Sequence, residues 1–336
     1  MAVAPAPGRP MSARRSLLMV FRWVIFLLAC LFLYKALAGP KGIVVLDGPG
    51  SLERLVRNRW GLVLIGLLMV ANWWVESVKW RSLVREVEPV PPFRAFMATI
   101  AGTGVGFVSI NRTGEFIGRV LFLEPDHRIA GGFATALGSI AQFVITLTFG
   151  GIGLLVLTLA GMPLPWPGGW VSWALASLTA FATAVGLLWY LYPGMLRQHL
   201  MLLPFLHRFE RASAVLLHFR NDRLWSVLLL SALRYVLFTT QFFLLLRMFD
   251  AGVGLSGAML GVPLIYLITT LIPSAMLTEL GVRGSVAVAV LSPLGGEAAL
   301  VLLATTCLWL INVAMPASAG SLILLVARIR IRNKGT

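Results

Sequence analysis

The stretch Phe93 to Arg119, FRAFMATIAGTGVGFVSINRTGEFIGR, decides how the rest of this 336-residue chain is read. Its first part, 93–110, is apolar and rich in glycine (Gly102, Gly104, Gly106). A charged cluster follows at once, Asn111-Arg-Thr-Gly-Glu115 and then Arg119. A second stretch has the same plan: 256–277 is apolar and interrupted by Pro263 and Pro273, and Thr278-Glu-Leu-Gly-Val-Arg283 follows it. Gly and Pro loosen or break helices, and non-helical backbone at membrane depth survives only where protein or a water-filled cavity surrounds it. Both stretches are therefore expected to be re-entrant or broken helices.

Working outward, apolar runs long enough to cross a bilayer recur at about 17–38, 60–80, 129–160, 170–192, 224–249 and 297–327. Hydrophobic residues make up 58% of the chain and charged residues 12%, against about 25% charged in an ordinary soluble domain. No polar stretch is long enough to form a separate soluble domain. The expected fold class is all-α: a polytopic membrane helical bundle of about six full spans plus two hairpins, in one domain over 1–336. The basic N-terminus before Leu17 resembles a signal peptide, but the run that follows reaches Ala38 without a convincing small-residue cleavage site. It is read as an uncleaved first helix.

Basic residues outnumber acidic ones by 28 to 13, a net charge of +15. They gather at the ends of apolar runs and form no aromatic-interleaved basic face, so nucleic acid is not the expected partner. The excess fits the rule that cytoplasmic loops collect Lys and Arg, and it also favours anionic lipid headgroups. Counting these residues loop by loop places both termini in the cytoplasm of a multi-pass cytoplasmic-membrane protein. The exception is 38–59, expected outside yet carrying Lys41, Arg54, Arg57 and Arg59. With this topology 93–119 dips in from the cytoplasm and 256–292 from the outside. The units 60–160 and 224–327 then repeat one order in opposite senses, as interrupted helices do around a transporter's central site. The stretch 193–223 mixes Arg197, Arg208, Arg211 and Arg220 with Leu and Phe and reads as an interfacial amphipathic helix.

An ionised side chain near the bilayer centre costs roughly 2.5–3.5 kcal/mol on insertion scales, so one that stays there marks a functional site by default. Glu115 with Arg119, and Glu279 with Arg283, are each four residues apart, the spacing that puts a pair on one helix face. Arg234 lies about ten residues into an apolar span, with Gln241 on the same face. The five charged residues form the expected substrate site. Arg119, Arg283 and Arg234 would hold an anionic headgroup through planar two-pronged contacts, while Glu115 and Glu279 balance the charge. Glu76 and Lys79, among Trp73, Trp74 and Trp80, read as an interfacial pair in an aromatic belt. His199, His207 and His218 lack tight metal spacing, and Cys30 and Cys307 each sit in an apolar run. No phosphate-binding Gly-Lys-Ser/Thr loop, His-Glu-x-x-His motif or Gly-x-Ser-x-Gly elbow is present, so no catalytic residue, metal or cofactor is expected.

The order of spans, the motif Asn111-Arg-Thr-Gly-Glu-Phe-Ile-Gly-Arg119 and the late Thr278-Glu-Leu-Gly-Val-Arg-Gly284 resemble the lysylphosphatidylglycerol synthase transmembrane-region family, also called the flippase-like domain family. The resemblance covers about 15–327, and the second motif departs from the Gly-rich form of many members. It implies a role in moving lipids across the cytoplasmic membrane. In aminoacylating members a separate soluble domain attaches the amino acid to phosphatidylglycerol. Such a domain is not seen here, so the chain is expected not to make lysylphosphatidylglycerol alone. The favoured expectation is a lipid flippase or lipid-binding transporter for an anionic phospholipid or lipid-linked substrate. The rivals are a membrane-embedded lipid-modifying transferase, and a non-transporting scaffold for a protein partner in lipid modification.

Overall fold

The computed structural model describes residues 58–274 and 277–327, together with Val24. Apart from Val24, the expected first span at 17–38 lies outside the described residues. Among the described residues the chain is helical, with no strand. Among these residues five helices are long and apolar enough to cross a membrane: α1 (Arg59–Val84), α4 (Arg128–Leu159), α5 (Gly169–Leu191), α7 (Asn221–Met248) and α10 (Ala298–Val326). They coincide with five of the expected spans to within a few residues. Leu67, Leu178, Phe181 and Leu229 project outward from them and are well exposed. In water such a belt would drive association; against lipid tails it is matched to its surroundings.

Two helical pairs lie between the long helices. In the first, α2 (Pro92–Phe107) turns through Val108–Thr113 into the seven-residue α3 (Gly114–Val120). In the second, α8 (Leu255–Leu271) is followed by α9 (Leu277–Leu291). At 16 and 17 residues, α2 and α8 fall short of the roughly 20 that a perpendicular span requires.

Of the expected break points only Pro273 lies where a helix breaks. Gly102, Gly104 and Gly106 lie inside an unbroken α2, and Pro263 lies inside an unbroken α8. The glycines serve close packing instead. A Cβ on Gly102 would meet Arg119 Cγ at 2.8 Å, and one on Gly106 would collide with Glu115 Cγ. These gaps seat α3 directly on α2. On another face, a Cβ on Gly104 would meet the backbone N of Ser321 at 2.7 Å, while one on Gly320 would collide with the carbonyl of Ile100. Small residues that let backbones touch are a standard way to pack helices where lipid removes the hydrophobic drive. The interruptions fall at Asn111–Arg112 and around Pro273.

The element order long helix, short pair, long helix occurs twice, and the packing is reciprocal. α2 packs on the second half of α10, α8 packs on α4, and the two leading helices α1 and α7 pack on each other. A Cβ on Gly150 of α4 would meet the Pro263 carbonyl at 3.0 Å, the counterpart of the Gly320–Ile100 contact.

The segment 193–223 is not one amphipathic helix. It is a run of short turns: α6 (Pro193–Met201), Pro204–Phe209, Glu210–Ser213 and Ala214–Leu217. Pro193 and Pro204 each start a piece, because proline suits a first turn and cannot continue a helix.

Candidate functional site

Helix α1 supplies Asn72, Glu76 and Lys79, whose spacing of four and then three puts them on one face. All three are buried, at 2%, 4% and 2% exposure. Glu76 is the central anion. Its Oε1 lies 2.6 Å from Arg119 Nη1, and its Oε2 lies 2.6 Å from Lys79 Nζ and 3.1 Å from Arg234 Nη1. Arg119 also binds Glu115, at 2.8 Å, and Arg112 approaches the other Glu115 oxygen at 2.8 Å. Arg234 donates from Nε to Asn72 Oδ1 at 3.1 Å, and its guanidinium carbon stands 5.3 Å from the centre of the Trp73 ring, a cation–π distance. Opposite, Arg283 binds Glu279 Oε1 through Nη2 at 2.8 Å and Nε at 3.0 Å.

The reading of Glu76 and Lys79 as an interfacial pair is therefore corrected. Trp73 and Trp80 are buried at 2% and 1%, and Trp80 donates its indole N–H to Thr135 Oγ1 at 2.9 Å. Only Trp74 of the three is largely exposed. Tryptophan is both a belt residue and a large core residue with one polar handle, and here two of the three are core.

The two short pairs meet tip to tip. Asn111 N–H donates to the Ser274 carbonyl at 2.9 Å, and Ser274 N–H donates to Asn111 Oδ1 at 2.9 Å. Asn111 and Arg112 both have left-handed backbone (φ 48° and 59°). Asn reaches that conformation readily, whereas for Arg it costs about 1–2 kcal/mol. The conformation is held by the cross-tip hydrogen bonds and by the Arg112–Glu115 pair.

Between the tips and the long helices lies a cavity of about 500 Å³, in the usual size range for small-ligand sites. Its polar wall includes Asn72, Arg112, Gln142, Arg234, Glu279, Arg283 and Asn312; Phe143, Phe238, Phe242 and Tyr266 form an aromatic wall. Asn312 comes from a π-helical turn, Leu310–Ala314, inside α10. Such bulges redirect side chains and recur at functional sites. Of the residues expected to bind substrate, Arg234, Glu279 and Arg283 line the cavity. Glu115 and Arg119 do not; they stand behind the wall in the ion network. Arg112, Asn72 and Glu76 were not chosen from sequence, although Arg112 sits inside the motif that was.

Among the described residues, Lys79, Arg112, Arg119, Arg234 and Arg283 face only three carboxylates, Glu76, Glu115 and Glu279. The cluster is cationic by two. Planar guanidinium forks lining a half-aromatic cavity are suited to a phosphate or carboxylate group.

A family model described as the lysylphosphatidylglycerol synthase TM region matches residues 26–320. The chain belongs to that family. The match takes in every residue of the site, and it makes the chain a multi-pass membrane protein of a lipid-related family. Comparisons with curated proteins and with solved structures found no match. Among the described residues no group of three His, Cys, Asp or Glu side chains could hold a metal.

Proposed function

We propose that this chain is a lipid flippase, or lipid-binding transporter, of the cytoplasmic membrane, with an anionic lipid headgroup in the cavity and the acyl tails left in the bilayer. The observation that carries the proposal is the cationic cavity enclosed by a lipid-facing helical bundle. Maintaining an excess of positive charge at that depth has a cost that a bound anion offsets. Arg112, Arg234 and Arg283 are the headgroup ligands in this reading. Glu279 orients Arg283, and Glu115 and Arg119 brace the wall.

In the same reading the two short pairs are re-entrant hairpins entering from opposite leaflets, 93–119 from the cytoplasm and 256–292 from outside. The units 60–160 and 224–327 are then inverted repeats, with both termini cytoplasmic. The reciprocal packing of α2 on α10 and α8 on α4 supports this, as does the tip-to-tip contact. The proposed activity is movement of a lipid without any bond-making step.

The test is translocation of a fluorescent anionic phospholipid in vesicles reconstituted with the protein. Wild type is expected to move the lipid, and Arg283→Ala and Glu279→Gln to slow it at least about tenfold. Equal rates in all three would remove the cavity from the mechanism.

A further inference from the structure

The two halves of the molecule place matching positions at matching places. Asn72 and Arg234, which hydrogen-bond each other, are each thirteen residues beyond the first residue of α1 and α7. Gln142 and Asn312 are each fourteen beyond the first residue of α4 and α10, and both line the cavity. Glu115–Arg119 and Glu279–Arg283 are matching ion pairs on α3 and α9. On this register the counterpart of Glu76 is Phe238, seventeen residues into α7.

Among the differences between the halves, which also set Lys79 against Gln241, this one leaves the two arginines unequal. Arg119 is closed between two carboxylates, 2.6 Å from Glu76 and 2.8 Å from Glu115, and its side chain is 6% exposed. Among the described residues Arg283 has the single carboxylate oxygen Glu279 Oε1; its side chain is 29% exposed, and it lines the cavity alongside Phe238. The Phe238 ring is packed edge-on against Tyr266, 4.8 Å between centres, so the position is filled by an apolar face.

We infer that Phe238 is a specificity-determining residue: by denying Arg283 a second carboxylate, it keeps that guanidinium available to an external phosphate-type anion, so that of the two matching arginines Arg283 is the one that holds the ligand. Arg119, neutralised by Glu76, braces the first hairpin, which reaches the ligand through its tip residue Arg112. This rests on the proposed anion-binding role of the cavity and adds which of the two matching arginines takes part in it.

The experiment titrates dihexanoylphosphatidic acid and, separately, inorganic phosphate into the purified full chain in detergent by calorimetry. Wild type is expected to bind the short-chain lipid. Phe238→Glu should weaken binding about tenfold or more, while Phe238→Leu stays within about threefold. Adding Arg283→Ala to Phe238→Glu should cause little further loss, because both changes remove the same ligand. Unchanged binding in Phe238→Glu, or fully additive losses in the double variant, would overturn the inference while leaving anion binding intact. Should wild type bind neither probe, the proposed function itself falls; binding of inorganic phosphate alone removes the lipid but keeps the role of Phe238. If Phe238→Glu does not fold, Arg119→Ala and Arg283→Ala decide. The inference requires Arg283→Ala to lower affinity about tenfold or more and Arg119→Ala to leave the affinity of the folded protein within about threefold, and the reverse pattern overturns it.

Discussion

Glu76 and Arg119 are held 2.6 Å apart by helices that meet only in the folded bundle, and each is about 95% buried. A carboxylate so placed cannot be removed quietly. It is the shared partner of Arg119, Lys79 and Arg234, so its loss leaves Lys79 and Arg234 without a carboxylate among the described residues and leaves Arg119 with Glu115 alone. Breaking a buried pair from one side typically costs 3–5 kcal/mol. Glu76→Gln is therefore expected to destabilise the protein by about that amount, read as a large fall in the thermal unfolding midpoint in detergent. A change under about 1 kcal/mol would show that Glu76 is not the hub.

Arg112 offers the opposite separation. It sits in left-handed backbone at the hairpin tip and lines the cavity. Arg112→Gly relieves the backbone cost of about 1–2 kcal/mol while deleting the guanidinium. The expected outcome is melting at or above that of wild type, combined with roughly tenfold weaker binding of an anionic lipid. Weak binding accompanied by unfolding would mean that the Glu115 contact, not ligand binding, is the role of Arg112.

The glycines give a packing test that does not depend on any ligand. A Cβ at Gly320 would strike the Ile100 carbonyl and lie 2.9 Å from the Gly104 nitrogen, both backbone atoms that cannot swing away. A Cβ at Gly132 of α4 would meet nothing within 4 Å. Gly320→Ala should then cost about 1–3 kcal/mol from overpacking, whereas Gly132→Ala should gain up to about 1 kcal/mol from helix propensity. Thermal unfolding of the two variants side by side checks the sign of each.

Much of the bundle was legible in the sequence because lipid imposes a simple rule: long apolar runs become helices, and five of them fall where hydropathy puts them. The site was legible only in part. Charged pairs at i,i+4 such as Glu279–Arg283 announce themselves, and a lone Arg234 in an apolar span does so too. Which carboxylate Arg119 chooses does not follow from spacing, because Glu76 arrives from another helix. The tryptophans around Glu76 pointed to an interface, and periodicity alone cannot say whether an aromatic faces headgroups or a core. The glycines of α2 read as breakage; that they serve close approach instead depends on where α3 and α10 pack, which the local sequence does not give.

The paired hydrogen bonds between Asn111 and Ser274 tie the tips of the two hairpins together at the wall of the cavity. A headgroup entering from one leaflet and leaving from the other must pass this junction if the hairpins enter from opposite sides, so the junction has to open in each cycle. Two hydrogen bonds of net worth about 1 kcal/mol each are weak enough to part on that timescale. Asn111→Cys with Ser274→Cys, in a background with Cys30 and Cys307 replaced by Ser, should cross-link under mild oxidation. In reconstituted vesicles the oxidised protein is expected to lose lipid translocation and to regain it with reductant, while anion binding survives in both states. Full translocation by the cross-linked protein would place the lipid's path elsewhere than between the hairpin tips.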